Sequence, residues 1–219
     1  MKIKFLFLLI FLFLNIAVYS QKIPIYVTPF YNSMPLQVNV GKYSNEIKKL
    51  NKLNYEKIIS KIKDDIDNIE IEALYVLSIR LYDIGEKYEA LYWFYNAQMR
   101  ARVFMDNLDP DFIGTIGSKP FELKQAFIAF NQLAGEYING HAYGDIDKAV
   151  IVLQRIIDDN QKIYNPLNVY PDIKFLPEDN FIKTQNEYIE GCKEMIEYVI
   201  ENKEEIYRTR KENGIEGLY

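Results

Sequence analysis

Most catalytic centres are built from residue types that this chain nearly lacks. Among 219 residues there is one cysteine, Cys192, one histidine, His141, and one tryptophan, Trp93. A single cysteine excludes an internal disulfide. One cysteine and one histidine fall short of the three or four soft ligands of a zinc centre, so no metal site is expected. A Ser-His-Asp or Cys-His centre would have to use His141, yet no serine stands in a nucleophile elbow and Cys192 lies in a different helical segment. A phosphate-cradling loop is missing too. Gly114 and Gly117 have no lysine directly after them, and the segment runs into Pro120. No catalytic residue and no cofactor is expected on these grounds.

Long apolar runs are equally scarce. The single one, from Phe5 to Leu14, follows Lys2 and Lys4 and precedes Val18 and Ser20. Basic, apolar and small residues in that order make a secretory signal peptide over 1–20, cleaved near Ser20-Gln21. The run is short of the roughly 20 apolar residues that a bilayer span requires. No cysteine stands at the cleavage point, so an acylated lipoprotein is not expected. The expected product is periplasmic or secreted, with no membrane span after cleavage.

Basic residues are in deficit. Without the leader and its two lysines, 199 residues carry 24 Lys and Arg against 31 Asp and Glu, a net charge of −7. Nucleic acid is a poor partner for such a chain, since phosphate binding needs clustered cations. A basic protein is a better one, or the charge serves solubility alone. The length suffices for one domain with a real core.

Proline marks the segment 21–43 as an extended arm. Pro24, Pro29 and Pro35 exclude a helix there. Ile23, Ile25 and Val27, then Leu36, Val38 and Val40, alternate as short strands would. From 44 to 219 the pattern is helical, with about six helices in one domain. The first is expected over 45–64, capped by Ser44, with Ile47, Leu50, Leu53, Ile58 and Ile62 inside. The second spans 69–84, capped by Asn68, with a stripe of Ala73, Leu74, Leu77, Leu81 and Ile84. Gly85 ends it, and a very short turn leads to the third at 88–105, so these two must lie antiparallel. A fourth over 121–138 stops at Asn139-Gly140. Asp145 caps a fifth to about 160. The last spans 178–213 and stops at Gly214. The fold class is all-α, made of antiparallel helical hairpins.

What the chain has in quantity is tyrosine, 18 residues, and acid. Two sets of side chains are candidates for contact with a partner. Tyr95, Gln98 and Arg102 are spaced by three and four and share a helix face, with Arg80 on the partner helix. They make either a recognition patch or, more plainly, an internal polar network. Glu190, Glu194, Glu197, Glu201, Glu204 and Glu205 make an acidic ridge opposite Tyr188, Ile189, Cys192, Ile196, Val199 and Ile200. The ridge is either a solvated face or a surface that steers a basic partner. Asp106, Asp109 and Asp111 lack the other oxygens of a calcium loop and read as turn and cap residues. His141 reads as a hinge residue bonded to nearby backbone, Cys192 as a small buried hydrophobe and Trp93 as core. Two carboxylates would suffice for glycoside hydrolysis, so counting residues leaves that chemistry open.

The residues Ala73 to Leu77, Leu81-Tyr82, Gly85, Glu89-Ala90, Trp93 and Ala97 resemble one tetratricopeptide or Sel1-type unit, with a shorter turn than in a Sel1 unit. The segment from Asp145 to Ala149 is similar to the opening of a second, degenerate unit. The string from Trp93 to Arg102, with Ile138-Asn139, Tyr143 to Asp145 and Arg210 to Gly214, resembles motifs of uncharacterised exported bacterial proteins. The resemblance implies hairpin packing and no particular ligand. Helical periplasmic proteins of this size include immunity proteins, which neutralise toxins injected by rival bacteria. The function expected is therefore non-enzymatic protein binding, in its most specific form occlusion of a secreted toxin. The alternatives are a carboxylate-dependent envelope hydrolase and a structural or scaffold protein of the cell envelope.

Overall fold

A computed structural model describes residues 40–112, 114 and 116–219. The leader expected over 1–20, and the expected arm as far as residue 39, lie outside the described residues. Eight α-helices form among the described residues. They are α1 Ser44–Lys48, α2 Tyr55–Asp64, α3 Ile71–Asp83, α4 Lys87–Asp106, α5 Lys119–Ala142, α6 Ile146–Asp159, α7 Glu178–Glu201 and α8 Lys203–Glu212. No strand forms among them, and the β-type contact there is an isolated antiparallel bridge between Leu108 and Phe175. The architecture is all-α.

α3 and α4 make the expected hairpin. Ala73, Leu74, Leu77 and Leu81 are fully buried, as are Ala90 and Ala97 opposite. Gly85 turns the chain at φ +91°. Its N–H donates to the Tyr82 carbonyl and the Glu86 N–H donates to that of Leu81, the paired bonds of a Schellman turn. Small residues let the two helices approach closely enough for Ser78 Oγ to donate to the Ala90 carbonyl at 2.8 Å. α5, α6 and α7 then pack around α4, so that four helices surround it.

Several boundaries differ from those the sequence predicts. The helix expected over 45–64 is in two pieces. Between them Asn54 Oδ1 accepts the Asn51 N–H and Asn51 Oδ1 accepts that of Leu53, local bonds that compete with the helix. Leu53, counted into the apolar stripe, is therefore 99% exposed. Ser44 is not the cap: Tyr43 holds that position, and Ser44 Oγ accepts the Val40 N–H. α5 runs through Asn139-Gly140 to Ala142. Gly140 serves close approach there, since a Cβ would stand 2.6 Å from the Tyr219 ring. The last helix breaks at Asn202, whose Nδ2 donates to the Tyr198 carbonyl. α8 then crosses the α5–α6 corner, where Tyr207 Oη accepts the Ile146 N–H at 3.1 Å and Lys203 pairs with Asp147 at 2.7 Å.

The start of α3 shows a longer-range correction. Asn68 does not cap it; its side chain donates to Asp65. The free N–H of Ile71 is met instead by Tyr170 Oη at 2.9 Å, from the loop before α7, and the same hydroxyl donates to Glu72 at 2.6 Å. Asp145 does cap α6, accepting the Lys148 N–H.

Aromatic rings fill the centre. Phe104 is wholly buried and is met edge-on by Phe127, Tyr170 and Phe175 at 5.1–5.3 Å between centroids. It therefore joins α4 and α5 to the loop that caps α3. Phe104→Ala is expected to lower the unfolding free energy by about 3–5 kcal/mol in a urea titration. A loss below about 1 kcal/mol would contradict this packing.

Candidate functional site

The predicted acids are divided between α7 and α8. Glu190, Glu194, Glu197 and Glu201 are all exposed. At 3.6 residues per turn they fall within roughly 60° of arc, opposite the buried Phe181, Cys192 and Val199. Glu204 is exposed too, but the break at Asn202 puts it on α8, so the ridge is not continuous. Glu205 pairs with Arg208 and Glu190 with Lys193.

Apolar side chains flank these acids. Tyr198 is 58% exposed and Ile200 56%, and Met195 and Ile182 are open as well. Tyr143, from the α5–α6 corner, directs its hydroxyl at Met195 Sδ at 3.8 Å. Ile200 was expected on the buried side. It lies roughly 100° around the helix from Val199, outside the buried stripe.

The hairpin set is divided. Tyr95 and Gln98 are half-buried and turn onto α5, where Tyr95 Oη donates to Asn139 Oδ1 at 3.0 Å and Gln98 Nε2 to Asn131 Oδ1 at 2.9 Å. Asn131 in turn donates to Tyr75 Oη, and Tyr188 Oη donates to the Tyr95 carbonyl. Their shared face is thus covered by α5, which is longer than the sequence predicts. Arg102 alone stays exposed, beside Asp106 at 3.3 Å. Arg80 pairs with Asp83. Tyr95, Gln98 and Arg102 do not form one open patch.

The remaining candidates have local roles. Asp109 Oδ1 accepts the Asp111 N–H in the turn after α4. Among the described residues no group of three or more His, Cys, Asp and Glu is gathered to hold a metal ion, and no helix is long and apolar enough to cross a membrane. Cys192 is buried, and burial pushes its thiol up to about 11. Trp93 is 1% exposed and lies edge-on to Tyr92. His141 is bonded not to nearby backbone but to the carbonyl of Tyr219, at 3.3 Å, and it lies against the rings of Tyr82 and Tyr88.

Sequence reasoning passed over two further features. The exposure of Tyr198 and Met195 had no local signal, because it depends on where neighbouring helices stop. Arg100 did have one. With Trp93 and Asn96 it forms a stripe at spacings of three and four, and it is buried at 5% exposure.

No family model and no solved structure matches the chain. The chain is similar to an uncharacterized protein of Haemophilus influenzae, 24% identical over 210 residues that span 89% of this chain and 77% of the relative.

Burial lowers the pKa of His141 from its ordinary 6.5. The unfolded chain therefore takes up a proton near pH 6.5 that the folded chain refuses. The stability from neutral His141 is complete above that pH and is lost as pH falls toward the lower folded value. Glu72, raised by burial, acts with the opposite sign above its ordinary 4.5. Subtracting the pH–stability curve of His141→Gln from that of the wild type is expected to leave a difference that shrinks as pH falls below about 6.5. A difference independent of pH would refute a neutral buried His141.

Proposed function

We propose that this chain is an exported, non-enzymatic protein-binding module whose docking face is the outer side of α7. The observation that carries the reading is the arrangement of Tyr198, Met195 and Ile200, open to solvent, around Glu190, Glu194, Glu197 and Glu201. The partner that suits this face is a basic protein. Its cations would be steered by the acids while the apolar flanks supply the desolvated contact. The leader pattern at 1–20 supports an extracytoplasmic partner. The resemblance of the α3–α4 segment to a tetratricopeptide or Sel1 unit supports a scaffold that presents surfaces. The specific form proposed is immunity: the face covers the active site of a basic toxin and blocks it by occlusion.

Pull-down of the protein from its own envelope, and from neighbours that carry toxins, tests this. The expected result is a basic partner retained by the wild type and lost by a Glu190→Lys, Glu194→Lys, Glu197→Lys triple variant of unchanged thermal midpoint. The association rate should fall by about tenfold or more on reversal and lose its salt dependence. Tyr198→Ala should mainly speed dissociation. Turnover of a small substrate with no partner recovered would overturn the reading.

A further inference from the structure

A second site lies on the other side of the hairpin, independent of α7's outer face. A cavity of about 450 Å³ opens between the end of α2, the Trp93–Asn96–Arg100 stripe of α4 and the loop after α6. Arg100 stands at its inner end. The guanidinium donates through Nη1 to the Ile66 carbonyl at 2.7 Å and lies 4.5 Å over the Tyr164 ring. Among the described residues its Nε is buried with no acceptor, and the guanidinium forms no ion pair with the carboxylates lining the cavity. The two acids that flank Ile66 in the chain are already paired, Asp65 with Lys42 and Asp67 with Lys162. A guanidinium does not give up its proton in a protein, so Arg100 keeps its charge although burial pulls its pKa down, with Asp67 attracting it from a distance.

Trp93 and Tyr164 line the same cavity. Among the described residues the Trp93 indole Nε1 and the Tyr164 hydroxyl are buried without partners, on residues 1% and 4% exposed. The wall that carries Tyr164 is held from behind. Gln185 of α7 accepts the Tyr164 N–H and donates to the carbonyls of Asn160 and Lys162, each at 2.9 Å. Asn160 also donates to Asn96 Oδ1 at 2.8 Å. The unpaired donors are therefore fixed in place before any ligand arrives, which is what a preorganised pocket requires.

From these contacts we infer that the cavity binds a small carboxylate, with Arg100 as its counter-ion. Nε and the second Nη of a guanidinium form a planar two-donor edge that matches the two oxygens of a carboxylate. The Trp93 N–H and Tyr164 hydroxyl then serve the rest of the ligand. A polyanion fits worse, because Asp64, Asp67 and Asp159 also line the cavity and repel added negative charge. The carboxylate belongs either to a free small acid or to the C-terminus of a peptide.

Trp93 is the only tryptophan, so its fluorescence reports occupancy directly. The purified protein is titrated with N-acetylalanine, its uncharged amide, trialanine and inorganic phosphate. The expected result is a saturable change for a carboxylate with Kd at or below about 1 mM, at least about tenfold weaker for the amide and for phosphate. Tighter binding of trialanine identifies a peptide end, and tighter binding of N-acetylalanine a free acid; either supports the site. Arg100→Met is expected to abolish the response while the unliganded protein keeps its helical circular dichroism. Tyr164→Phe, which keeps the ring, is expected to weaken binding severalfold and serves alone if the first variant does not fold. The inference is overturned by no saturable response to either carboxylate, by phosphate or the amide binding as well, or by unchanged affinity in the variants.

Discussion

Helix α4 has almost no solvent side, and the organisation of the molecule follows from that. α3, α5, α6 and α7 all pack against it, and between Ala90 and Met105 only Arg102 is exposed. A helix covered on every side would ordinarily be apolar all round. This one carries Asn96, Gln98 and Arg100 in the same stretch. Each polar group must then find a partner inside the protein or remain a cost. Gln98 and Tyr95 find theirs on α5, and Asn96 finds one in Asn160. Arg100 meets the Ile66 carbonyl and the Tyr164 ring, and its Nε has no acceptor among the described residues.

The loops owe their positions to the same centre. The segment before α7 has few regular bonds of its own, yet Tyr164, Tyr170 and Ile173 are buried. Tyr170 closes the start of α3, and Phe104 of α4 holds its ring in place. Gln185 secures the stretch from Asn160 to Tyr164 from the far side. The outer face of α7 and the Arg100 cavity are thus supported by one helix: its inner side clamps the cavity wall while its outer side carries the acids and Tyr198.

Much of the helical scaffold was legible in the sequence because its signals are local. Gly85 ends α3 since only glycine adopts φ +91° without strain, and Gly214 ends α8 in the same way. Asp145 caps α6 through a residue three positions on. The misread positions involve partners distant in the chain. Asn139-Gly140 read as a stop, but that glycine makes room for Tyr219. Asn68 read as a cap, but the group that meets Ile71 comes from Tyr170. Tyr95, Gln98 and Arg102 share a face as their spacing requires, but Asn139 and Asn131 of α5 meet the first two and leave Arg102 to water.

By itself the sequence determined an all-α chain, its hairpin turn, its acidic excess and the helix faces on which the glutamates stand. These depend on backbone propensity, capping and a 3.6-residue period, which act over a few residues. Only the tertiary structure decided that Tyr95 and Gln98 face inward, that Tyr198 faces outward, and that Arg100 lies beside a cavity with its Nε unpaired. Burial depends on which helices lie alongside and where they end, and that is set by packing the whole chain around α4.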